Sequence, residues 1–373
     1  MKKTLMVGAF DIIHPGHIQA IKEAKKLGDN LVVVLGRDRN LLKLKGQLPY
    51  YNEKTRLNNL KKLNLADKVV LGDMVDKLKI IKEEKPAIIA LGYDQYPAKE
   101  LWHGIKGLGI KTTRLNSFKS EIFKSSKLKK IFADSRAGFL NIDKPIDWTS
   151  HDIVAKLRTI IKIKQIGHAG TLDPFATGVL ICGLGSATKM MSAFHLLPKT
   201  YEAIIKLGVV SDTYDRTGKI TNYQSLIINK LSITNLQIKK ILKTFIGKQK
   251  QLPPMYSAKK VNGKKLYELA REGKIIERPL SEVEIYDLKL LTTEDSTLKI
   301  RVKCSAGTYI RTLTHDIGEK LGTGAVLWEL KRTAIGSYQA RSAVLINKIK
   351  KQDYQKFIIK PERVLLGLNK QYL

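Results

Sequence analysis

The stretch TLMVGAFDIIHPGHIQAIKEAKKLGDNLVVVLG, Thr4 to Gly36, decides the fold of the first third of the chain. A β-branched apolar run from Thr4 to Phe10 gives way to a polar turn, then to a helical pattern from His17 to Gly28, then to a second apolar run from Asn30 to Gly36. Strand, helix and strand at this spacing predict a parallel βαβ unit. The alternation continues through helical NEKTRLNNLKKLN, strand KVVLG, helical DMVDKLKIIKEEK, strand AIIALGYD, helical AKELWHGIKGLG and strand IKTTRL. Residues 1–130 therefore read as one α/β domain with helices on both faces of a parallel sheet. FKSSKLKKIFADSRAG, Phe123 to Gly138, reads as a last helix running into a connector at 131–138.

From Phe139 the texture changes. Runs such as YEAIIKLGVV (Tyr201 to Val210) and LKIRVKCS (Leu298 to Ser305) are separated by long helical and loop segments, which predicts an α+β domain with a mixed sheet over 139–340. The 35 residues after Tyr338 are too few for another independent domain, so 341–373 reads as a short C-terminal extension.

Composition sets the outer bounds. The chain has 373 residues, 43% of them hydrophobic, enough for two or three cores. The longest candidate for a membrane span, FATGVLICGLGSA, is too short and too glycine-rich, and MKKTLMVGAF shows no cleavage pattern, so a soluble chain without a secretion signal is expected. Two cysteines, Cys182 and Cys304, make no disulfide framework and fit a reducing cytoplasm. The formal charge is +33, with lysine supplying 53 of the 67 basic residues. Dispersed lysine can serve solubility alone. A surplus this large also favours a polyanionic partner, because each neutralised phosphate releases counterions. The excess is +14 over residues 1–138 and +19 over the remainder, so it is not one basic arm.

GAFDIIHPGH sets Asp11, His14 and His17 between the first strand and the first helix, with Gly16 allowing close backbone approach. An anion at that position meets partial positive charge and free amide donors. Two histidines three residues apart suit nucleotidyl transfer, in which catalysis comes from positioning and from stabilising charge on the α-phosphate. The segment resembles the cytidylyltransferase-like nucleotidyltransferase superfamily, whose HxGH hallmark stands here as His14, Pro15, Gly16 and His17. The resemblance covers about 130 residues and implies a Rossmann-like nucleotidyltransferase fold. It implies nucleotide-binding roles for Phe10, Asp11, His14, Gly16 and His17, for Lys43 and Lys45, and for Arg56 on the next helix. LGYDQ, with Gly92 and Asp94, looks like the base loop of archaeal-type FAD synthases, and KSSK supplies Ser125 and Ser126 near the triphosphate. Mg²⁺ and an NTP, ATP or CTP, are the implied cofactors. FMN, a sugar phosphate and a polyol phosphate all remain open as acceptor. A non-catalytic nucleotide- or RNA-binding module is the alternative.

GHAGTLDPFATGVL, Gly167 to Leu180, packs three glycines, a proline and one carboxylate into fourteen residues. Read alone it is an Asp-Pro turn. Context adds a guanidinium: CSAGTYIRTLTHD puts Tyr309 and Arg311 at the end of a strand, where Arg311 could pair with Asp173 and keep it ionised as a nucleophile. KTYEA supplies Tyr201, a face on which an extruded base could stack. These blocks resemble the tRNA pseudouridine-55 synthases of the TruB family over about 200 residues. The match opens at FLNIDKPIDWTSHDIV and continues through KTYEAIIKLGVVSDTYDRTG, QLPPMYSAKKVNGKKLYELAREG, CSAGTYIRTLTHDIGEKLGTGA and LKRTAIG.

The resemblance implies cofactor-free conversion of a T-loop uridine of tRNA, with Asp173 as nucleophile. Attack at C6 of the base, attack at C1′ and a glycal route are all compatible with it. Tyr201 would stack on the base and is a candidate to deprotonate C5, Arg311 would pair with Asp173, and His168 would fill the space the base leaves. Tyr309 and Asp215 are RNA-contact candidates, Asp215 equally a loop hydrogen-bond acceptor. Tyr256 and Lys259 read as loop or core positions, and Lys144 and Pro145 as organisers of the first strand of this domain. His151, His195 and His315 have no metal-ligand partners at useful spacing and read as structural, so no metal site is expected. Many relatives finish with a PUA domain, for which the sequence after Tyr338 is too short. A tRNA-folding chaperone is the non-enzymatic alternative.

Overall fold

A computed structural model describes residues 1–223, 233–257, 259–261, 263–274 and 276–373; Ala258 and Asn262 of the PPMYSAKKVNG block lie outside the described residues. The chain divides into two units, Met1–Ser135 with Lys360–Leu373, and Arg136–Ile359.

In the first unit β1 (Lys3–Gly8), α1 (Pro15–Lys25), β2 (Asn30–Leu35), α2 (Asp38–Lys45), α3 (Glu53–Lys61), β3 (Lys68–Leu71), α4 (Lys79–Glu84), β4 (Ile88–Leu91), α5 (Lys99–Gly107), β5 (Lys111–Arg114) and α6 (Ser125–Phe132) follow one another. The five strands are parallel, in the order β3-β2-β1-β4-β5. Alternate residues of β2 face opposite ways: Leu31, Val33 and Leu35 pack with Ile21, Ala24 and Leu60, while Val32 and Val34 pack with Ile81 and Ile105. Both faces of the sheet are thus covered, as expected where the central strands β2 and β4 are apolar almost throughout. The expected strands and helices form, except that the helix read over DMVDKLKIIKEEK is confined to α4; α2, which ends on the left-handed Gly46 (φ 68°), is an addition.

In the second unit β6 (Gly138–Lys144), α7 (Ser150–Ile161), β7 (Ile166–Ala169), β8 (Thr177–Leu184), β9 (Lys199–Leu207), β10 (Val209–Ser211), β11 (Ile220–Asn222), α8 (Asn235–Lys243) and β12 (Gly247–Gln251) come first. A hairpin of β13 (Lys260–Val261) and β14 (Lys264–Lys265) with α9 (Leu266–Arg271) intervenes. Then come β15 (Ser281–Glu294), β16 (Thr297–Cys304), α10 (Ile310–Leu321), β17 (Ala325–Ile335), β18 (Tyr338–Gln339) and β19 (Val344–Leu345). Among the described residues the main sheet runs β12-β15-β16-β9-β17-β8-β6-β19, with β17/β8 and β6/β19 parallel and the remaining neighbours antiparallel. The mixed sheet is as expected. Its core gathers Ala203 and Ile205 of β9, Ile300 and Val302 of β16 and Leu313 and Ile317 of α10, while α7 closes a second core over β6 and β8.

The helix α11 (Pro361–Tyr372) lies in the first unit. The expected single extension at 341–373 is therefore divided: residues up to Ile359 stay with the second unit, where Phe139 and Ile359 exchange backbone hydrogen bonds of 2.9 and 2.8 Å. Among the described residues no helix is long and apolar enough to cross a membrane.

Candidate active sites

In the first unit the winding reverses between β1 and β4, and such sheets open their ligand crevice there, beyond the carboxyl ends of the strands. His14 caps α1 with an extended backbone, its Nδ1 accepting from the His17 amide at 3.3 Å. The two imidazoles stack with centroids 3.8 Å apart and planes 16° apart. A side chain on Gly16 would begin 3.1 Å from the His14 ring, so it would have to push the imidazole aside by a few tenths of an ångström. Phe10, in the left-handed region at φ 43°, turns its ring edge to His17 at 5.3 Å.

Burial lowers the pKa of both histidines. His14 is held well below its ordinary value, first by burial and then by His17. His17 is lowered to about 4 by burial, with Lys45 acting in the same direction and a bond to Ile12 and the charge of Asp94 opposing. Both rings are therefore neutral near pH 7. The positive charge comes from the exposed Lys45 in the last turn of α2 and from Lys124, which caps α6. Ser125 and Ser126 open α6, and Lys124 Nζ lies 3.5 Å from Asp94. The loop carrying Asp94 is held in shape by the Gly92 amide donating to Gln95 at 3.1 Å. Arg114 adds donations to the carbonyls of Gly92, Tyr93 and Gln95.

Two residues expected to contact nucleotide are engaged within the protein. Arg56 is fully buried; it donates to the carbonyls of Ala9, Tyr51 and Gly36 and pairs with Asp38 at 2.7 Å. Its donors are spent joining the ends of β1 and β2 to the start of α2. Asp11 accepts from the Tyr50 and Tyr51 amides at 2.8 and 3.0 Å, which makes its carboxylate a loop anchor.

In the second unit the sequence Leu172-Asp173-Pro174-Phe175 explains how a carboxylate is presented. Leu172 and Phe175 are buried in the core, so the chain between them is pinned at the surface. Ser150, the first residue of α7, bonds both the amide and the carbonyl of Leu172, at 2.9 and 3.3 Å. Lys144, fully buried at the end of β6, donates to the carbonyls of Pro145, Trp148 and Pro174. It thus grips the turn next to Asp173, beyond the strand-organising role expected of it. Burial lowers the Lys144 pKa to about 8, opposed by the charge of Asp173.

Arg311 Nη2 lies 3.0 Å from Asp173 Oδ1, and Nη1 lies 3.4 Å from Asp215 Oδ2. The same Nη2 donates to the Tyr256 carbonyl at 2.8 Å. Arg311 sits in the first turn of α10, not at a strand end; β16 has already finished at Cys304. Tyr309 is the residue before that helix, tied through its backbone amide and carbonyl to the Gln251 side chain. Asp215 is 3% exposed and accepts from Thr213 and Thr217, so it is an internal partner of Arg311 and not an RNA-facing group. The Asp173 side chain keeps 31% of its surface open. Enclosure by the protein raises its pKa, opposed chiefly by Arg311, with Asp215 adding to the rise. The guanidinium therefore offsets part of the burial cost, and the expected pairing of Arg311 with Asp173 is present.

Tyr201 on β9 is 9% exposed, and its phenol is raised by burial. A phenol protonated at neutral pH fits a stacking face better than a resting base. His168 lies on β7, its pKa lowered by burial and by Arg332. Arg332 of β17 escaped the sequence reading. It is 1% exposed, donates to the carbonyls of Gly170 and Val179 at 2.9 and 2.7 Å, and its charge opposes the rise that burial causes in the Tyr201 pKa. One buried cation thereby ties the loop that leads to Asp173 to β8. Its position two residues after the buried Leu330 was the available signal, since alternate residues of a strand share a face.

Three family descriptions match the chain: "TruB family pseudouridylate synthase (N terminal domain)" over 158–310, "tRNA pseudouridylate synthase B C-terminal domain" over 311–366, and "Cytidylyltransferase-like" over 5–131. A tRNA pseudouridine synthase B of Clostridium novyi (strain NT) is 43% identical over 63% of this chain and 80% of its own. The Clostridium acetobutylicum protein of the same name is 44% identical over 61% and 77%. A solved Cbf5-Nop10-Gar1 complex contains a chain 29% identical over 62% of this one and 58% of its own, at a TM-score of 0.45. Asp173 on its pinned turn, the shared arginine and the extent of these matches lead to one assignment: the chain belongs to the TruB family of pseudouridylate synthases and carries a cytidylyltransferase-like unit ahead of the synthase.

Proposed function

We propose that residues 136–359 convert the T-loop uridine of tRNA, position 55, to pseudouridine, with Asp173 as the nucleophile. The observation that carries this reading is the chain of ion pairs Asp173–Arg311–Asp215, in which a partly open carboxylate is aimed by a guanidinium that a second, buried carboxylate holds in place. The uridine swings out of its stack and lies against Tyr201. Asp173 attacks at C6 or C1′, the N1–C1′ bond breaks, the base turns, a C5–C1′ bond forms, the bond to Asp173 breaks to regenerate the carboxylate, and the proton on C5 is released. Every atom but an exchanged proton is retained, so the isomerisation needs no cofactor. The charge of +33 favours tRNA phosphates as partners. Free, buried Cys182 and Cys304 fit a cytoplasmic setting. Full-length protein should release tritium from RNA carrying C5-tritiated uridine at the T-loop position; release from other uridines instead would contradict the site preference.

The first unit we read as a nucleotidyltransferase. The match to cytidylyltransferase-like sequences supports this, as do the stacked, neutral His14 and His17 at the start of α1. An acceptor phosphate oxygen bonds to the α-phosphorus of ATP or CTP, and the bond to pyrophosphate breaks. His14, His17, Lys45, Lys124 and the α6 amides are phosphate donors, whereas the nearby carboxylates are engaged: Asp11 by two amides, Asp94 by Lys124. This set fits a triphosphate that brings its own Mg²⁺, whose contribution would be charge neutralisation. Pyrophosphate release from Mg·ATP and Mg·CTP with FMN, a sugar phosphate or a polyol phosphate identifies nucleotide and acceptor; none with any pair favours a binding module.

A further inference from the structure

The helix α11 follows the synthase unit in sequence yet belongs to the first unit in space. Val364, Leu365 and Leu368 are buried, and the helix packs on α1 and α6. Asn369, 6% exposed, donates through Nδ2 to the carbonyl of Ile13 at 3.0 Å. Ile13 immediately precedes His14, in a turn where that carbonyl has no strand partner, and a polar group left unpaired there would be costly. An aromatic contact reaches the same loop. Tyr372 meets Phe118 edge-on at 5.4 Å, Phe118 lies parallel to Phe123 at 6.3 Å, and Phe123 lies parallel to His14 at 6.2 Å. The Phe118 carbonyl also closes on Gly16, 3.4 Å from where a side chain would begin. Lys22 of α1 donates to the backbone oxygen of Leu373 at 3.0 Å.

We infer that α11 is a working part of the HxGH loop, and that Asn369 is the positioning residue that fixes where His14 and His17 stand. The inference deepens the nucleotidyl-transfer reading and rests on it for its catalytic meaning. One consequence is an order of assembly: the phosphate site can be completed only after residues 361–373 have been made, although its histidines lie near the start of the chain.

The test uses full-length Asn369→Ala and the near-isosteric Asn369→Asp, which keeps the volume and loses the donor. In both, amide hydrogen exchange over residues 12–18 should quicken about tenfold, and affinity for Mg·ATP or Mg·CTP should fall about tenfold, the worth of one buried hydrogen bond. Pseudouridine formation should be unchanged, which reports that the rest of the chain is folded. Wild-type exchange rates over 12–18 in both variants would overturn the inference. Should the wild type bind neither nucleotide, the nucleotidyl-transfer reading fails by itself, and the exchange rates still decide whether Asn369 positions the loop.

Discussion

The two candidate sites, both proposed to recognise a nucleotide, are built with opposite electrostatics. Around His14 and His17 burial strips the imidazoles of charge, and the positive field is left to exposed lysines and helix amides. Around Asp173 the charges are taken inside and neutralised by contact, at 3.0 and 3.4 Å from one guanidinium. The first arrangement spreads its function over several independent donors and should degrade gradually when one is lost. The second is a coupled unit in which removing one member leaves another charge buried and unpaired.

The largest effect is expected at the carboxylate. Asp173→Asn should lower the rate of pseudouridine formation by at least about 10⁴-fold while RNA affinity, measured by filter binding, stays near that of the wild type. Arg311→Met comes next. It leaves Asp173 and Asp215 facing each other, so denaturant unfolding of the synthase unit should show a loss of about 3–5 kcal/mol, together with a rate deficit. A variant as stable as the parent would break the coupled-unit picture. In the other site His17→Ala should reduce pyrophosphate release by about 10²-fold, the usual cost of one charge-stabilising donor, with pseudouridine formation untouched. An effect as large as that of Asp173→Asn would erase the contrast between the two sites.

The smallest and most diagnostic effect concerns pH. In the proposed mechanism Asp173 attacks as the carboxylate, and its pKa is raised by burial and by Asp215, so activity should fall as pH drops through that raised value. Asp215→Asn removes one cause of the rise and frees Arg311 for Asp173. The acid limb of the rate profile should therefore move to lower pH, by about one unit if the lost repulsion is worth about 1.4 kcal/mol. An unmoved limb would separate the two carboxylates.

The fold was largely legible because its signals are local. Strands β1, β2 and β4 are short runs rich in apolar residues, and the β1–α1 loop announces itself as a strand end followed by helix periodicity. Asp173 and Arg311 were also legible, since each sits in a distinctive block. What eluded the sequence was direction. Arg56 reads as a ligand for phosphate, yet it shares a helix face with Leu60, four residues on, and that spacing turns it into the core. Asp215 reads as exposed loop, and nothing within its own segment reveals that a helix 96 residues later brings Arg311 to it. Arg332 and Asn369 were missed for the same reason, their partners lying 153 to 356 residues away.

The central claim is that a carboxylate aimed by Arg311 isomerises one T-loop uridine. Its most direct test is chemical or mass-spectrometric mapping of pseudouridine in a T-stem-loop RNA after incubation with purified full-length protein. The account predicts modification at position 55 alone, without added nucleotide or metal. An RNA recovered unmodified, or modified equally by the Asp173→Asn protein, would contradict it.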